Sequence, residues 1–139
     1  MVEARNVLLV DNDPASLRLM ARYLTLLSQP SICTGDPRTA LTEIENNPMV
    51  GLLWTDLYMP GMNGRELASQ ARILRPEMPI ILATSAILSE LDEMGIYSDG
   101  VDLIVDKCVI ADRQTVYTTL RLAFANRLAC LDEYDSIRG

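Results

Sequence analysis

The chain has 139 residues, a formal net charge of −7 and 49% hydrophobic residues. Its length suits one domain with a substantial core, and its hydrophobic content excludes a disordered chain. The negative charge argues against binding nucleic acid through phosphate contacts, so we expect proteins or cations as partners.

The residue types that are missing or scarce narrow the chemistry further. The absence of histidine excludes Ser–His hydrolysis, His acid–base catalysis and His-ligated metals. Any metal would need oxygen ligands, which favours a hard cation such as Mg²⁺. The cysteines Cys33, Cys108 and Cys130 lie far apart in the sequence and predict neither a disulfide framework nor a zinc site. No apolar run could span a membrane, and no signal peptide is recognisable, so we expect a cytoplasmic protein without a membrane partner.

The first part of the chain predicts two strand–helix units. Residues 6–10 form an apolar run typical of a buried parallel strand. Asp13 as N-cap and Pro14 as the first helical residue predict a helix that runs to about Ser28. A brief strand over 31–34 and a helix after Asp36, which ends near residues 46–48, complete the second unit.

The stretch 50–64 joins an uncharged run to a turn and a helix. Residues 50–55 predict a strand buried on both faces, and it stops at Asp56. A turn rich in Pro and Gly follows, and Asn63 with Glu66 predicts a capping box at the start of a third helix. On this stretch alone, Asp56 is either a turn residue or a carboxylate at the carboxyl end of a central strand, where open α/β sheets place their chemistry.

The remaining chain predicts two more units. They comprise a strand over 80–83, a short helix over 88–94, a strand over 101–105 and a long helix from about 111 towards 135. The alternation predicts an α/β fold with a five-stranded parallel sheet, doubly wound as (βα)₅ with right-handed crossovers. We assign residues 1–131 to one domain and 132–139 to a C-terminal tail or the start of a connecting helix.

Polar residues follow four of the five predicted strands. They are Asp11, Asn12 and Asp13 after the first strand, Asp56 after the third, Thr84 after the fourth and Lys107 after the fifth. Since the carboxyl ends of parallel strands open on one edge of the sheet, these side chains can converge. Carboxylates, a hydroxyl and an ammonium around one cleft fit a Mg²⁺-assisted phosphoryl site.

The sequence resembles the receiver domain of two-component response regulators over about residues 6–128. The motifs that carry the resemblance are residues 7–14, 54–64, 79–85 and 105–107. The second is the most specific, because it places Met59-Pro60 and then Gly64 after Asp56. The resemblance implies a flavodoxin-like receiver fold, in which Asp56 accepts a phosphoryl group from a histidine kinase or a phosphotransfer protein.

The same resemblance implies roles for the other site residues. Asp11 and Asn12 occupy the positions of an acidic pair that binds Mg²⁺ together with Asp56, and the backbone carbonyl of Tyr58 adds a ligand. Thr84 matches the hydroxyl that moves toward the acyl phosphate, and Lys107 matches the Lys that pairs with it. Such a domain passes a signal by a conformational or contact change. It is not an ordinary enzyme, although it can catalyse its own phosphorylation and dephosphorylation.

Three positions depart from the family pattern. Asn12 stands where the family has a second acid, so Mg²⁺ affinity should be reduced. Cys108 stands where the family has a proline in a cis bond, so we predict a trans bond after Lys107 and a shifted loop. Ile104 stands where the family often has an aromatic ring that rotates on activation, so that coupling cannot work in its usual form. Asp13, by contrast, has a sufficient role as a helix N-cap and is a less favoured metal ligand.

Two alternatives remain open from the sequence. One is an atypical receiver that acts as a phosphorylation-independent interaction module. The other is a haloacid-dehalogenase-like phosphatase with Asp11 as nucleophile and Asp13 as acid–base, which leaves Asp56 without a role. An output domain or a homodimer is a further possible partner. Met1 favours an N-terminal receiver, and the long last helix favours a fragment of a larger regulator.

Overall fold

The computed structural model describes residues 5–85 and 100–138, and of the last five of these only the backbone. The short helix predicted over 88–94 lies outside the described residues. Within the described part, no helix is both long and apolar enough to cross a lipid bilayer.

Five strands form one parallel sheet in the order β2-β1-β3-β4-β5. The strands are β1 (Asn6–Val10), β2 (Ser31–Thr34), β3 (Val50–Asp56), β4 (Ile80–Thr84) and β5 (Leu103–Asp106). The predicted five-stranded parallel sheet is therefore confirmed. The last strand begins two residues later than predicted, because the Asp102 carboxylate, at 2.8 Å, accepts a hydrogen bond from the Ile80 amide just before the ladder begins.

Within residues 5–85 and 100–138, four helices pack on the sheet: α1 (Pro14–Leu26), α2 (Pro37–Asn46), α3 (Gly64–Leu74) and α4 (Arg113–Arg138), which is the fifth helix of the sequence prediction. The predicted N-caps are present. Asp13 and Asp36 accept from the backbone at the starts of α1 and α2, and Asn63 with Glu66 forms the capping box of α3. α1 ends two residues before the predicted Ser28, which has a left-handed φ of 56° that cannot continue a helix.

Two hydrophobic layers enclose the sheet, because successive strand residues point to opposite faces. Leu8, Val10 and Leu53 lie in the layer under α2 and α3. Val7 and Trp54 lie in the layer under α1 and α4. β3 is buried along its length up to Asp56, as its uncharged sequence predicted, and this places Asp56 at the end of a fully covered central strand.

A buried ion cluster joins three elements at the edge of the sheet opposite the strand carboxyl ends. The Asp102 side chain is 2% exposed and pairs with Arg72 of α3 at 2.8 Å and with Arg127 of α4 at 3.5 Å. The Asn126 side chain donates to the Asp102 carbonyl at 2.9 Å. Arg72 also donates to the carbonyls of Gly100 and Met78. The cluster therefore fastens the C-terminal helix to the starts of β4 and β5.

The strand order reverses direction between β1 and β3, which are neighbours in the sheet although β2 separates them in sequence. In open α/β sheets, the crevice at such a reversal, outside the carboxyl ends of the strands, is where ligands bind. Asp11 follows β1 and Asp56 ends β3, so these two carboxylates flank that crevice.

Candidate functional site

Three charged side chains meet at the carboxyl edge of the sheet. The Lys107 Nζ lies 2.7 Å from Oδ2 of Asp11 and 3.2 Å from Oδ1 of Asp56. The side chains of Asp11 and Asp56 are only 11% and 12% exposed. One ammonium therefore bridges two largely buried carboxylates that come from different strands.

Backbone amides orient both carboxylates. Oδ1 of Asp11 accepts from the Asp13 amide at 2.9 Å, and Oδ1 of Asp56 accepts from the Leu57 amide at 2.9 Å. Each bond joins a carboxylate to a residue one or two positions along the chain, where the strand gives way to a loop. The local turns thus hold both acids at fixed directions before any ligand binds.

Burial and neighbouring charges oppose each other at this site. Burial raises the pKa of Asp56, against the lowering effect of the Lys107 charge, and the charge of Asp11 raises it further. For Lys107, burial alone would lower the pKa. The hydrogen bond to Asp11 and the charge of Asp56 outweigh burial, so the pKa of Lys107 is raised. Lys107 is therefore protonated at neutral pH, and its one ammonium faces two acidic side chains.

The other predicted site residues lie nearby but outside this trio. Thr84 is fully buried at the end of β4, one position beyond Ala83, the register partner of Asp56. Asn12 is exposed directly after Asp11, and Tyr58 is 60% exposed in the loop after β3. Among the described residues, neither the Asn12 nor the Tyr58 side chain makes a hydrogen bond or ion pair to the trio.

The structure assigns a structural task to Asp13, as the N-cap interpretation predicted. Its carboxylate accepts from the Ala15 amide at 3.1 Å and from the Ser16 hydroxyl at 3.0 Å. The hydrogen bonds from Ser16 and Ala15 lower the pKa of Asp13. Both carboxylate oxygens are thus engaged at the start of α1, which leaves Asp13 poorly placed to serve the site.

The structure also shows the conformation at the two other positions that depart from the family pattern, Cys108 and Ile104. The described residues contain no cis peptide bond, so the predicted trans bond between Lys107 and Cys108 is confirmed. Lys107–Val109 forms a short 3₁₀ turn instead. Ile104 is 8% exposed and packs in the layer under α2 and α3, so a buried aliphatic side chain holds the position where the family often has a ring.

Two features of the site were not predicted. A cavity of about 90 Å³ opens beside the trio, lined by Trp54, Met20 and Ile110 among others. Gly64 donates its amide to the Leu57 carbonyl at 2.7 Å, and a Cβ at Gly64 would collide with the carbonyl of Asp56. The loop after β3 can therefore close against Asp56 only because residue 64 has no side chain. The spacing of Gly64 after Asp56 was the available signal.

Mg²⁺ is the cation that the resemblance to receiver domains implies for this edge of the sheet. The described residues hold no group of three or more Asp, Glu or Cys side chains suited to a metal. The edge nevertheless offers two acidic side chains for one ammonium, and Mg²⁺ commonly binds through one or two carboxylates together with waters and phosphate oxygens. The residues present therefore fit Mg²⁺, with less charge than a site with two adjacent acids would provide.

Comparison with known proteins shows the family. The model of the response regulator receiver domain matches residues 7–120, and the chain belongs to this family of two-component signalling modules.

Individual relatives are similar over parts of their length. A putative two-component response regulator, ARR21 of Arabidopsis thaliana, is 35% identical over 91 residues, which are 65% of this chain and 15% of that protein. A CheY-like receiver domain protein from Methanospirillum hungatei superposes with a TM-score of 0.78 at 23% identity, over 90% of this chain and 97% of the other.

A Burkholderia pseudomallei response regulator, described with a phosphorylated aspartic acid, a calcium ion and citrate, superposes with a TM-score of 0.74 at 19% identity. The superposition covers 94% of this chain and 72% of that chain. The two structural matches support the flavodoxin-like receiver fold that the sequence predicted.

Proposed function

We propose that this receiver domain accepts a phosphoryl group on Asp56, from a histidine kinase or a phosphotransfer protein. The observation that carries the proposal is the Lys107 ammonium, which contacts both Asp11 and Asp56 at the carboxyl edge of β1 and β3. A carboxylate that is oriented, nearly buried and paired with a fixed cation is suited to bond to phosphorus while its charge is compensated.

In the proposed step, a carboxylate oxygen of Asp56 forms a bond to phosphorus as the bond from phosphorus to the donor nitrogen breaks. The donor imidazole leaves with the electron pair of that bond. The Leu57 amide, which donates to Oδ1, holds the carboxylate in one orientation during the attack. Lys107 offers its ammonium to the phosphoryl oxygens, and Thr84, buried at the end of β4, supplies the hydroxyl that pairs with the acyl phosphate.

For Mg²⁺, the proposed ligands are the carboxylates of Asp11 and Asp56, the amide oxygen of Asn12 and the backbone carbonyl of Tyr58. When bound, the cation neutralises phosphoryl oxygens during transfer. Asn12 contributes no charge, so this chain requires more Mg²⁺ than a receiver with two adjacent acids. The ammonium of Lys107 contacts both Asp11 and Asp56. Its positive charge further reduces the net negative charge that the two side chains offer to a cation.

The response to phosphorylation is proposed to pass through protein contacts, to an output domain or to a second copy, without direct nucleic-acid binding. Ile104 has no ring to swing, so the proposed change passes through backbone shifts at β5 and α4. In this proposal residues 1–131 form the receiver, and residues 132–139 are a C-terminal tail or the start of a connecting helix. The domain acts as a signalling module rather than an enzyme with turnover, and its cytoplasmic location remains a prediction.

Intact mass after incubation with acetyl phosphate and Mg²⁺ tests the proposal. We expect the mass of one phosphoryl group on the wild-type protein and none on Asp56→Asn. Asp36→Asn is the matched control, because Asp36 also caps a helix after a strand and should leave labelling unchanged. Labelling that persists in Asp56→Asn would place the acceptor elsewhere.

A wild-type protein that takes up no label at high Mg²⁺, although folded, would support the second candidate, a phosphorylation-independent interaction module. The observation that favours this candidate is that the described residues hold no group of three or more acidic or cysteine side chains arranged to bind a metal. Steady release of inorganic phosphate from a small phosphate ester, at a rate that survives Asp56→Asn, would instead indicate a phosphatase.

A further inference from the structure

Lys107 is the only lysine of the chain, and its backbone belongs to a loop rather than to a strand. It begins the 3₁₀ turn Lys107–Val109, directly after β5. From there its side chain extends past β4 to reach acids at the ends of β1 and β3. A flexible four-carbon side chain can bridge both acids only if the backbone that carries it is held in place.

The residue that holds this backbone is Asp106. Oδ1 of Asp106 accepts from the Cys108 amide at 2.8 Å, which caps the turn across Lys107. The Ile110 amide closes the turn on the Lys107 carbonyl at 3.3 Å. Asp106 is itself fixed as the last residue of β5, where it pairs in register with Thr84. The cap thus links the end of β5 to Cys108. The backbone is therefore held on both sides of Lys107, and Lys107 cannot pivot freely.

The cap depends on the residue that follows Lys107. Cys108 has a backbone N–H, which a proline at that position would lack. The same carboxylate also contacts the Cys108 thiol and raises the pKa of that thiol. The backbone contact and the thiol contact can be separated by substitution, because alanine keeps the N–H and proline removes it.

We propose that Asp106 is a positioning residue for Lys107, acting by accepting a hydrogen bond from the Cys108 amide. Its consequence for phosphoryl transfer rests on the proposed function of Asp56, whereas its effect on the placement of Lys107 does not. The role requires a hydrogen-bond acceptor and not a negative charge. Asparagine should therefore replace Asp106 with little loss, and alanine should not.

The sole lysine allows its placement to be measured directly. The full chain is treated with an amine-acylating reagent, and the modified fraction of the peptide that contains Lys107 is followed over time by mass spectrometry. Lys107 held between two carboxylates reacts slowly. We expect Asp106→Ala to react about five-fold faster, the factor that the net loss of one hydrogen bond gives, and Asp106→Asn to react as the wild type does.

Asp112→Ala is the matched control, because Asp112 caps the start of α4 through the Thr115 amide at 2.8 Å and lies outside the site. Its removal should leave Lys107 acylation unchanged. Thermal unfolding of each variant separates a local effect from a general loss of stability. An acylation rate that rises in Asp112→Ala as much as in Asp106→Ala would overturn the proposal.

A double-mutant cycle identifies the contact involved. In a Cys108→Ala background, which keeps the amide, Asp106→Ala should again raise acylation about five-fold. In a Cys108→Pro background, which has no amide to accept from, Asp106→Ala should change nothing. An effect that persists in the proline background, or an asparagine variant that behaves like alanine, would show that Asp106 acts through its charge and would refute the mechanism.

Phosphorylation by acetyl phosphate is measured on the same variants. If the wild type is labelled, Asp106→Ala should be labelled about five-fold more slowly and Asp106→Asn at the wild-type rate. If the wild type is not labelled at all, the proposed function fails, while the acylation series still decides whether Asp106 places Lys107. The two failures are therefore distinguishable.

Discussion

Replacing Asp56 with Asn should stabilise the fold at neutral pH. The Asp56 side chain is 12% exposed, and its Oδ1 lies within about 6 Å of a carboxylate oxygen of Asp11, since both contact the same Lys107 nitrogen. Two like charges at that distance repel by about 3 kcal/mol at an effective dielectric of 20, and burial of the Asp56 charge adds to this cost.

The ion pair with Lys107 offsets most of this cost, and in the variant Lys107 keeps its contact with Asp11. The pKa of Asp56 is nevertheless raised, so its ionised form is less favourable in the folded state than in the unfolded chain. We expect a net gain of roughly 1 kcal/mol, or about 3 °C in Tm for a domain of this size.

The gain should depend on pH in a definite direction. Because the folded pKa of Asp56 is raised above its ordinary value of 3.8, the ionised group costs stability that appears as pH rises above that value. The difference in Tm between Asp56→Asn and the wild type should therefore be absent below pH 3.8 and fully developed above the folded pKa.

Thermal unfolding at acidic and neutral pH, followed by circular dichroism, measures this difference. Asp36→Asn is the control of opposite sign, since hydrogen bonds from Thr39 and Arg38 lower the pKa of Asp36. A lower Tm for Asp56→Asn than for the wild type at neutral pH would show that the attraction to Lys107 outweighs burial and repulsion, and would refute the reasoning.

Three further changes have expected outcomes. Asn12→Asp should raise Mg²⁺ affinity roughly ten-fold by adding a charge near the cation, as measured by calorimetry; unchanged affinity would exclude Asn12 as a ligand. Asp102→Ala should lower the free energy of unfolding by about 3 kcal/mol, because Arg72 loses its buried partner. Urea unfolding measures this change, and a loss of less than about 1 kcal/mol would contradict the prediction. Gly64→Ala should slow phosphorylation, because the added Cβ forces the loop away from the Asp56 carbonyl; wild-type labelling kinetics would contradict this.

Local signals in the sequence predicted most of the fold. Asp13 and Asp36, each followed by proline, start helices as expected, and Asn63 with Glu66 forms the expected capping box. These motifs act within four residues of themselves, so neighbouring sequence suffices to recognise them. The start of β5 was misplaced because its limit depends on Asp102, whose carboxylate binds Ile80, 22 residues earlier.

The sequence predicted which site residues lie at the same edge of the sheet. It did not predict the contacts between their side chains. Strand ends placed Asp11, Asp56 and Lys107 together because parallel strands end on one side. That one ammonium contacts both carboxylates depends on side-chain reach across the sheet and on the turn after β5. The capping contact between Asp106 and Cys108 has a two-residue spacing, but many Asp residues have such a neighbour, so the spacing alone carried no prediction.

Hydrogen bonds and an ion pair attach the C-terminal helix and the residues just before it to the rest of the domain at two places. Near its start, the Tyr23 hydroxyl donates to the Ala111 carbonyl at 3.0 Å, four residues from Lys107. At the opposite edge, Asn126 and Arg127 meet Asp102. Beyond Arg127, α4 continues to Arg138, a length of about 16 Å.

A rotation of the helix by about 5° around Asp102 would displace its far end by about 1.4 Å over this length. It would shift the Ala111 end in the opposite direction. A shift of the loop that carries Lys107 that turned the helix in this way would therefore also move the Arg138 end of α4.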